Sequence, residues 1–356
     1  MPARPLALLL TLLSCLPTAH ARPEAPIAPK VVIVAMFEVG DDTGDVPGEF
    51  QFWVERMDLS RRMPIPAGYR DARLNEDGSV LGLVTGVGNT RAAASIMALG
   101  LNEAFDLRSS YWLIAGIAGI DPADGSIGSA VWASQVVDGD LSHEVDAREV
   151  PADWPTGYVP LHGSRPYQDP MPTDSVEKGM TYPLNSTLAE WAFQLTRAID
   201  LPDSEALRAL RGRFEGYPQA QRPPFVLRGD NLASSTFWHG RKMNAWANEW
   251  VRYHTQGQGS YVTTAMEDAG TLHALTALSR AGRVDLQRVL LLRTASNYDM
   301  QWSGATAAES LAGEREGGLS GYLPSLEAAY RVGRPVVDAL VSGWSNYETN
   351  TPVPHE

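Results

Sequence analysis

Cysteine is nearly absent: the 356 residues hold one, Cys15, ahead of every candidate strand. No disulfide can brace the folded part, and thiol nucleophiles or cysteine metal sites are excluded there. Cations are in short supply too, with 29 Lys and Arg against 42 Asp and Glu and a net charge of −13. Without a basic stripe to offset that balance, nucleic acid and anionic membrane surfaces are excluded as partners. Beyond the N-terminal segment no apolar run approaches the roughly 18 residues that a membrane span requires. There is also no G-x-S-x-G elbow, so a serine hydrolase of that type has no local signature.

What the first residues do contain is Arg4, a short apolar run LALLLTLL (6–13) and the small residues of Ala19-His20-Ala21. This is the pattern of an export leader cleaved after Ala21. Leu12-Leu13-Ser14-Cys15 loosely follows a lipoprotein box, but Leu13 fits it poorly, and cleavage is preferred to anchoring at Cys15. The expected organisation is a signal peptide (1–21) and a single domain (22–356), periplasmic or secreted. An apolar share of 44% and a charged share of 20% suit a globular domain with a substantial core.

Apolar, β-branched runs at 31–36, 80–86, 111–116, 130–137, 225–229, 261–266 and 289–296 alternate with helical periodicity at 89–104, 184–199, 236–252, 267–281 and 320–342. That alternation predicts a three-layer α/β fold, a mostly parallel central sheet with helices on both faces. In such sheets ligands bind beyond the carboxyl ends of the strands. Met36–Glu38, Gly86–Asn89, Gly116–Gly119, Gly229–Asn231, Met266–Glu267 and Arg293–Asp299 each follow a strand and so share one rim.

Singly, these motifs have plain readings. Gly86-x-Gly88 before a helix lacks the third glycine and downstream acid of a dinucleotide site, though its N–H groups can hold an anion or hydroxyl. Asp121-Pro-Ala-Asp124-Gly125 reads as a solvated turn rather than a calcium loop. His143-Glu144-Val145-Asp146 alternates like a strand and has no zinc spacing, and no metal or cofactor is expected. His239, His254 and His273 lie in helical stretches and read as surface or capping residues. Thr264-x-x-Glu267 has capping-box spacing, which would make Glu267 local scaffolding. The loop 40–53, with Gly40, Gly44 and Gly48 beside Phe50, Phe52 and Trp53, reads either as an aromatic lid or as a loop whose aromatics belong to the core.

The order of VVIVAM, VTGVGNTRAAASIMAL, AGIAGIDPADGSIGSAVWASQVV, VLRGDN, AMEDAG and LLRTASNYD resembles the nucleoside phosphorylase superfamily. The chain looks most like its branch named purine nucleoside permeases, with GDDTGDVPGEFQFW (40–53) and SSTFWHG (234–240) as further points of similarity. The resemblance implies that Met266 lies under a ribose and Glu267 accepts its hydroxyls. It implies that Asn297 holds the purine, with Asn231 as a second base contact, and that Gly86, Gly116 and Gly119 supply pocket backbone. Glu38 and Arg293 are the expected water-activating pair, and Asp299 the candidate acid, because Asn297 cannot donate a proton to the departing base. WLIAG lacks the Arg, and Ile117 replaces the Ser, that phosphorylases use for phosphate.

Three functions remain open on this reading. The preferred one is hydrolysis of the N-glycosidic bond of purine nucleosides, with inosine or guanosine favoured. The others are nucleoside binding in support of transport through a separate membrane protein, and phosphate-dependent cleavage. A homo-oligomer is expected from the superfamily.

Overall fold

Val31–Ala35 forms β1, and its side chains show how the chain is layered. In the computed structural model, which describes residues 25–315 and 321–354, all five are buried. Val31, Ile33 and Ala35 join one apolar cluster, while Val32 and Val34 join another on the opposite face. A strand apolar on both faces must be covered on both.

The remaining strands are β2 (Arg61–Met63), β3 (Ala72–Leu74), β4 (Val80–Val84), β5 (Tyr111–Ile120), β6 (Ala130–Asp138), β7 (Ser142–Glu144), β8 (Tyr158–Pro160), β9 (Thr181–Pro183), β10 (Val226–Ala233), β11 (Tyr261–Ala265) and β12 (Val289–Tyr298). The helices are α1 (Gln51–Arg56), α2 (Asn89–Gly100), α3 (Ser186–Thr196), α4 (Glu205–Arg211), α5 (Arg241–His254), α6 (Asp268–Arg280), α7 (Ala307–Arg315), α8 (Tyr322–Ser342) and α9 (Trp344–Tyr347).

The main sheet runs β11-β10-β6-β12-β5-β1-β4-β3-β2, with β9 beside β6. Its centre, β12-β5-β1-β4, is parallel. α1, α3 and α8 cover one face through Trp53, Leu188, Trp191, Val332 and Val336. α2 and α6 cover the other through Ile96, Leu99, Leu272 and Leu275. This is the three-layer α/β architecture that the alternation predicts. β11 also pairs back onto β5 in antiparallel sense, Thr263 with Ile120 and Thr264 with Gly119. β5, β12, β6, β10 and β11 therefore close into a ring, and the functional candidates lie along its strands.

Three local expectations are corrected. β5, β10 and β12 continue to Ile120, Ala233 and Tyr298, so Gly116–Gly119 and Arg293–Asn297 sit within strands rather than in loops after them. Ladder pairing across the ring outweighs the weak strand preference of Gly and Asn. The Asp121 turn is buried, not solvated: its carboxylate accepts from the Ala123 N–H at 2.8 Å and Asn248 Nδ2 at 2.8 Å. The aromatics of 40–53 are core residues rather than a lid. Phe50 and Trp53 are buried, Trp53 meets the Tyr330 ring edge-on at 5.2 Å, and Phe52 lies 4.0 Å under the Arg56 guanidinium. The proposed leader lies outside the described residues. Among those described, no helix is long and apolar enough to cross a membrane.

Candidate functional site

Arg293 organises the site. It lies in β12 opposite Gly116 of β5 and its side chain is 1% exposed. Nε donates to Asp268 Oδ2 at 2.9 Å, Nη2 donates to Asp268 Oδ1, and Nη1 donates to the Ile117 carbonyl at 3.1 Å. Nη2 also lies 3.4 Å from Glu267 Oε2. Burial works against this charge, but Asp268 and Glu267 outweigh it and hold the guanidinium above its usual range. The two-pronged pairing with Asp268 fixes the plane of the guanidinium.

Asp268 is anchored from behind by Asn231 Nδ2 at 2.8 Å, while Asn231 Oδ1 accepts from Thr263 Oγ1 at 3.0 Å. Asn231, expected at the base, is instead fully buried in this scaffold. Its side chain holds the anion that holds Arg293.

Glu267 does not form the capping box. It stands just before α6 with no side-chain bond to the helix start, and Thr264 belongs to β11. Its carboxylate turns across to α2, accepting from the Gly88 N–H at 3.2 Å, and from the Met266 N–H at 3.2 Å. Gly88 opens α2 with φ +93° and Gly86 has φ +85°, a region open chiefly to glycine. The Gly270 N–H donates to Asn89 Oδ1 at 2.8 Å and ties α6 to α2, which keeps this approach fixed. Burial raises the Glu267 pKa, Arg293 opposes that, and Asp268 adds to it. Half-buried Met266 lies beside it.

Opposite stands a carboxylate that sequence reasoning did not single out, Glu49. It is 6% exposed and accepts from the Met36 N–H at 2.7 Å and the Ile117 N–H at 2.7 Å. A Cβ at Gly116 would come within 2.5 Å of Arg293 Nη1 and 2.6 Å of Glu49 Oε1, so only glycine admits both groups. Burial pushes the Glu49 pKa up to about 8, with Arg293 opposing and Glu267 adding.

Glu38, the expected water-activating residue, has a different place. It accepts from the Val39 N–H at 2.9 Å, the Phe50 N–H at 2.9 Å, the Gln51 N–H at 2.6 Å, and the Gly48 N–H. Those bonds close the loop 39–48 and satisfy the N–H groups that open α1. Glu38 thus clips the segment that carries Glu49 to Arg293. The sequence signal was an acid at the far end of a glycine-rich loop starting beside β1.

At the other end, a register irregularity between Ala295 and Asn297 re-aims β12, and Asn297 pairs with Gly119. Asn297 is 8% exposed; Oδ1 accepts from Ser296 Oγ at 3.0 Å and Nδ2 donates to the Tyr298 carbonyl at 3.1 Å. One N–H and one lone pair of the amide remain for a ligand. Asp299 is fully buried behind it, accepting from Asn244 Nδ2 at 3.1 Å and Tyr261 OH at 2.5 Å. Burial and the neighbouring Asp121 hold its pKa well above the carboxylate range. The structure therefore brings together Arg293, Glu267, Met266 and Gly116, adds Glu49 and Gly88, leaves Gly119 beside Asn297 and Gly86 against Tyr69 and Arg91, and sets Asn231, Asp299 and Glu38 into supporting networks.

A ring of strands carrying a buried Arg–carboxylate cluster defines a nucleoside phosphorylase-type α/β protein. The fold is similar to futalosine hydrolase of Helicobacter pylori, with a TM-score of 0.51 and 13% identity over 87% of this chain and 97% of that one. It is equally similar to the 5′-methylthioadenosine/S-adenosylhomocysteine nucleosidase of the same organism, at 0.51 and 12% over 87% and 99%. Residues 28–352 match the model of the purine nucleoside permease family. A Schizosaccharomyces pombe protein described as a probable purine nucleoside permease is 31% identical over 329 residues, 89% of this chain and 90% of its own. A Candida albicans purine nucleoside permease is 29% identical over 339 residues, 93% of this chain and 80% of its own. The chain belongs to the purine nucleoside permease family.

Proposed function

We propose that this protein recognises purine nucleosides outside the cytoplasm and hydrolyses their N-glycosidic bond. The observation that carries the reading is the pair of buried carboxylates, Glu267 and Glu49, on either side of a fully paired Arg293. Glu267 accepts the two ribose hydroxyls above Met266, and Asn297 takes the base. A water beside Glu49 attacks C1′, Glu49 receives its proton, and the base departs with the bonding pair on N9 as a purine anion that takes a proton from solvent. A proton affinity near neutral pH suits a general base. The excess negative charge around the sugar stabilises the oxocarbenium-like cation that develops there.

The same charge argues against phosphorolysis. The Ile117 N–H, beside the place where phosphorylases hold phosphate, already donates to Glu49, and the Arg293 guanidinium is committed to Asp268, Glu267 and Ile117. A phosphate dianion there would meet carboxylates. A second reading, non-catalytic capture of nucleosides for a separate membrane transporter, is favoured by two observations: Asn297 cannot give a proton, and Asp299 is sealed by Tyr261 and Asn244. The leader pattern of residues 1–21 supports a periplasmic or secreted location under either reading.

Calorimetry tests the ribose contact. Glu267→Ala is expected to weaken inosine binding by roughly 2–4 kcal/mol, since two charge-assisted hydrogen bonds are lost, and to leave hypoxanthine nearly unaffected. Equal losses for both ligands would remove Glu267 from the ribose. At the base end, Asn297→Asp is expected to raise cleavage, because a carboxyl supplies the proton that an amide cannot. It should also narrow a wild-type preference for inosine over adenosine that corresponds to about 1–3 kcal/mol. Steady-state rates on both nucleosides would show this; a variant slower on each would place Asn297 away from the base.

A further inference from the structure

His239 sits in the loop between β10 and α5, which the sequence places in a helix and the structure leaves irregular. Its side chain is 2% exposed, so the surface or capping role is corrected, and neither ring nitrogen has a hydrogen-bond partner among the described residues. A buried imidazole with both nitrogens open destabilises a fold by the desolvation of each. Beside it stands Glu314 of α7, whose Oε1 lies 3.7 Å from His239 Nδ1, beyond hydrogen-bond reach.

The backbone puts this pair at the base end. The N–H of Gly240, next to His239, donates to the Asp299 carbonyl at 2.8 Å. The N–H of Gly321, in the chain that follows α7, donates to the Ser296 carbonyl at 2.6 Å. The segment bearing His239 thus docks on β12 beside Asn297, and Glu314 is placed by its approach to His239.

We propose that His239 and Glu314 read the edge of the purine: an imidazole N–H donates to O6 and the Glu314 carboxyl accepts from N1–H. The inference rests on the site being a purine nucleoside site and names the groups that select the base. A ligand edge with an acceptor beside a donor suits two polar groups that stand side by side 3.7 Å apart, and it would give the unpartnered imidazole a hydrogen bond that the protein does not. Burial supports it from both sides, lowering the His239 pKa to about 4 and raising that of Glu314 to about 8, so each has hydrogen-bonding capacity without full charge. Asn297 then holds the N7 side of the same ring.

The test is calorimetry of wild type, His239→Phe and Glu314→Leu with hypoxanthine and inosine, alongside thermal melting. Removing two unpartnered buried nitrogens should leave the Tm of His239→Phe unchanged or raised. Affinity for hypoxanthine and for inosine should fall together, by about tenfold or more in each variant. Glu267→Ala should show the opposite split, losing inosine but keeping hypoxanthine. Wild-type hypoxanthine affinity in folded variants would overturn the assignment while leaving the nucleoside reading intact. A wild type that binds neither ligand would overturn both. If His239→Phe melts early, Glu314→Leu decides, because that substitution removes a carboxyl already held largely neutral.

Discussion

Glu49→Gln is expected to lower the kcat for inosine hydrolysis by roughly 10²–10⁴-fold, the usual share of a positioned general base, while inosine still binds. The amide oxygen can accept from only one of the Met36 and Ile117 N–H groups, which now donate to separate oxygens, so the other N–H faces an NH2 group and the Tm of the variant is read beside its rate. What is lost is the ability to take a proton. Wild type should carry the matching pH signature. The base form of Glu49 is the active one, and its pKa lies at about 8, so the rate should climb as pH rises towards 8 and level off above it. The rise should be absent in Glu49→Gln. Because the folded state holds this proton more tightly than the unfolded chain, with an ordinary value of 4.5, Glu49 works against folding as pH rises from about 4.5 to about 8. A Glu38→Gln variant separates the two acids: its carboxylate serves loop N–H groups, so its loss should raise KM and loosen the loop without removing the pH-dependent step.

Asp268→Ala is expected to destabilise the fold by about 3–5 kcal/mol, the range for breaking a buried ion pair from one side. Arg293 would remain at 1% exposure with Glu267 at 3.4 Å as its closest anion, and Asn231 Nδ2 would lose its acceptor. Asp268→Asn should be milder, since one oxygen still accepts from the guanidinium. Chemical denaturation reads both. A loss below about 1 kcal/mol for Asp268→Ala would mean that Glu267 takes over the charge, and ribose binding should then fail with it.

The parts of this site that were legible in the sequence are those whose placement follows from a strand alone. Arg293 and Asn297 lie in β12, and Met266 and Glu267 follow directly on β11; the apolar runs of both strands fix where they begin and which rim they reach. Glu49 was not legible, because its position depends on how the loop 39–48 folds, and that path is set by four backbone bonds to Glu38. Adjacency to β1 pointed to Glu38, while the fold returned a later acid to the same place. Asn231 and Asp299 share a different limit. Each occupies a strand position consistent with a ligand contact, yet tertiary partners far along the chain, Asp268 for one and Asn244 with Tyr261 for the other, take up their polar atoms. His239 was hidden by a helix boundary: α5 starts at Arg241, not near residue 236, so the residue leaves the helix surface and enters the interior.

The decisive measurement is product analysis after incubating the purified protein with inosine, in phosphate-free buffer and again with phosphate. Hydrolysis by the Glu49–Arg293 cluster predicts hypoxanthine and free ribose at the same rate in both. Hypoxanthine formed only with phosphate, together with ribose 1-phosphate, would contradict the account, as would saturable inosine binding with no product in either buffer.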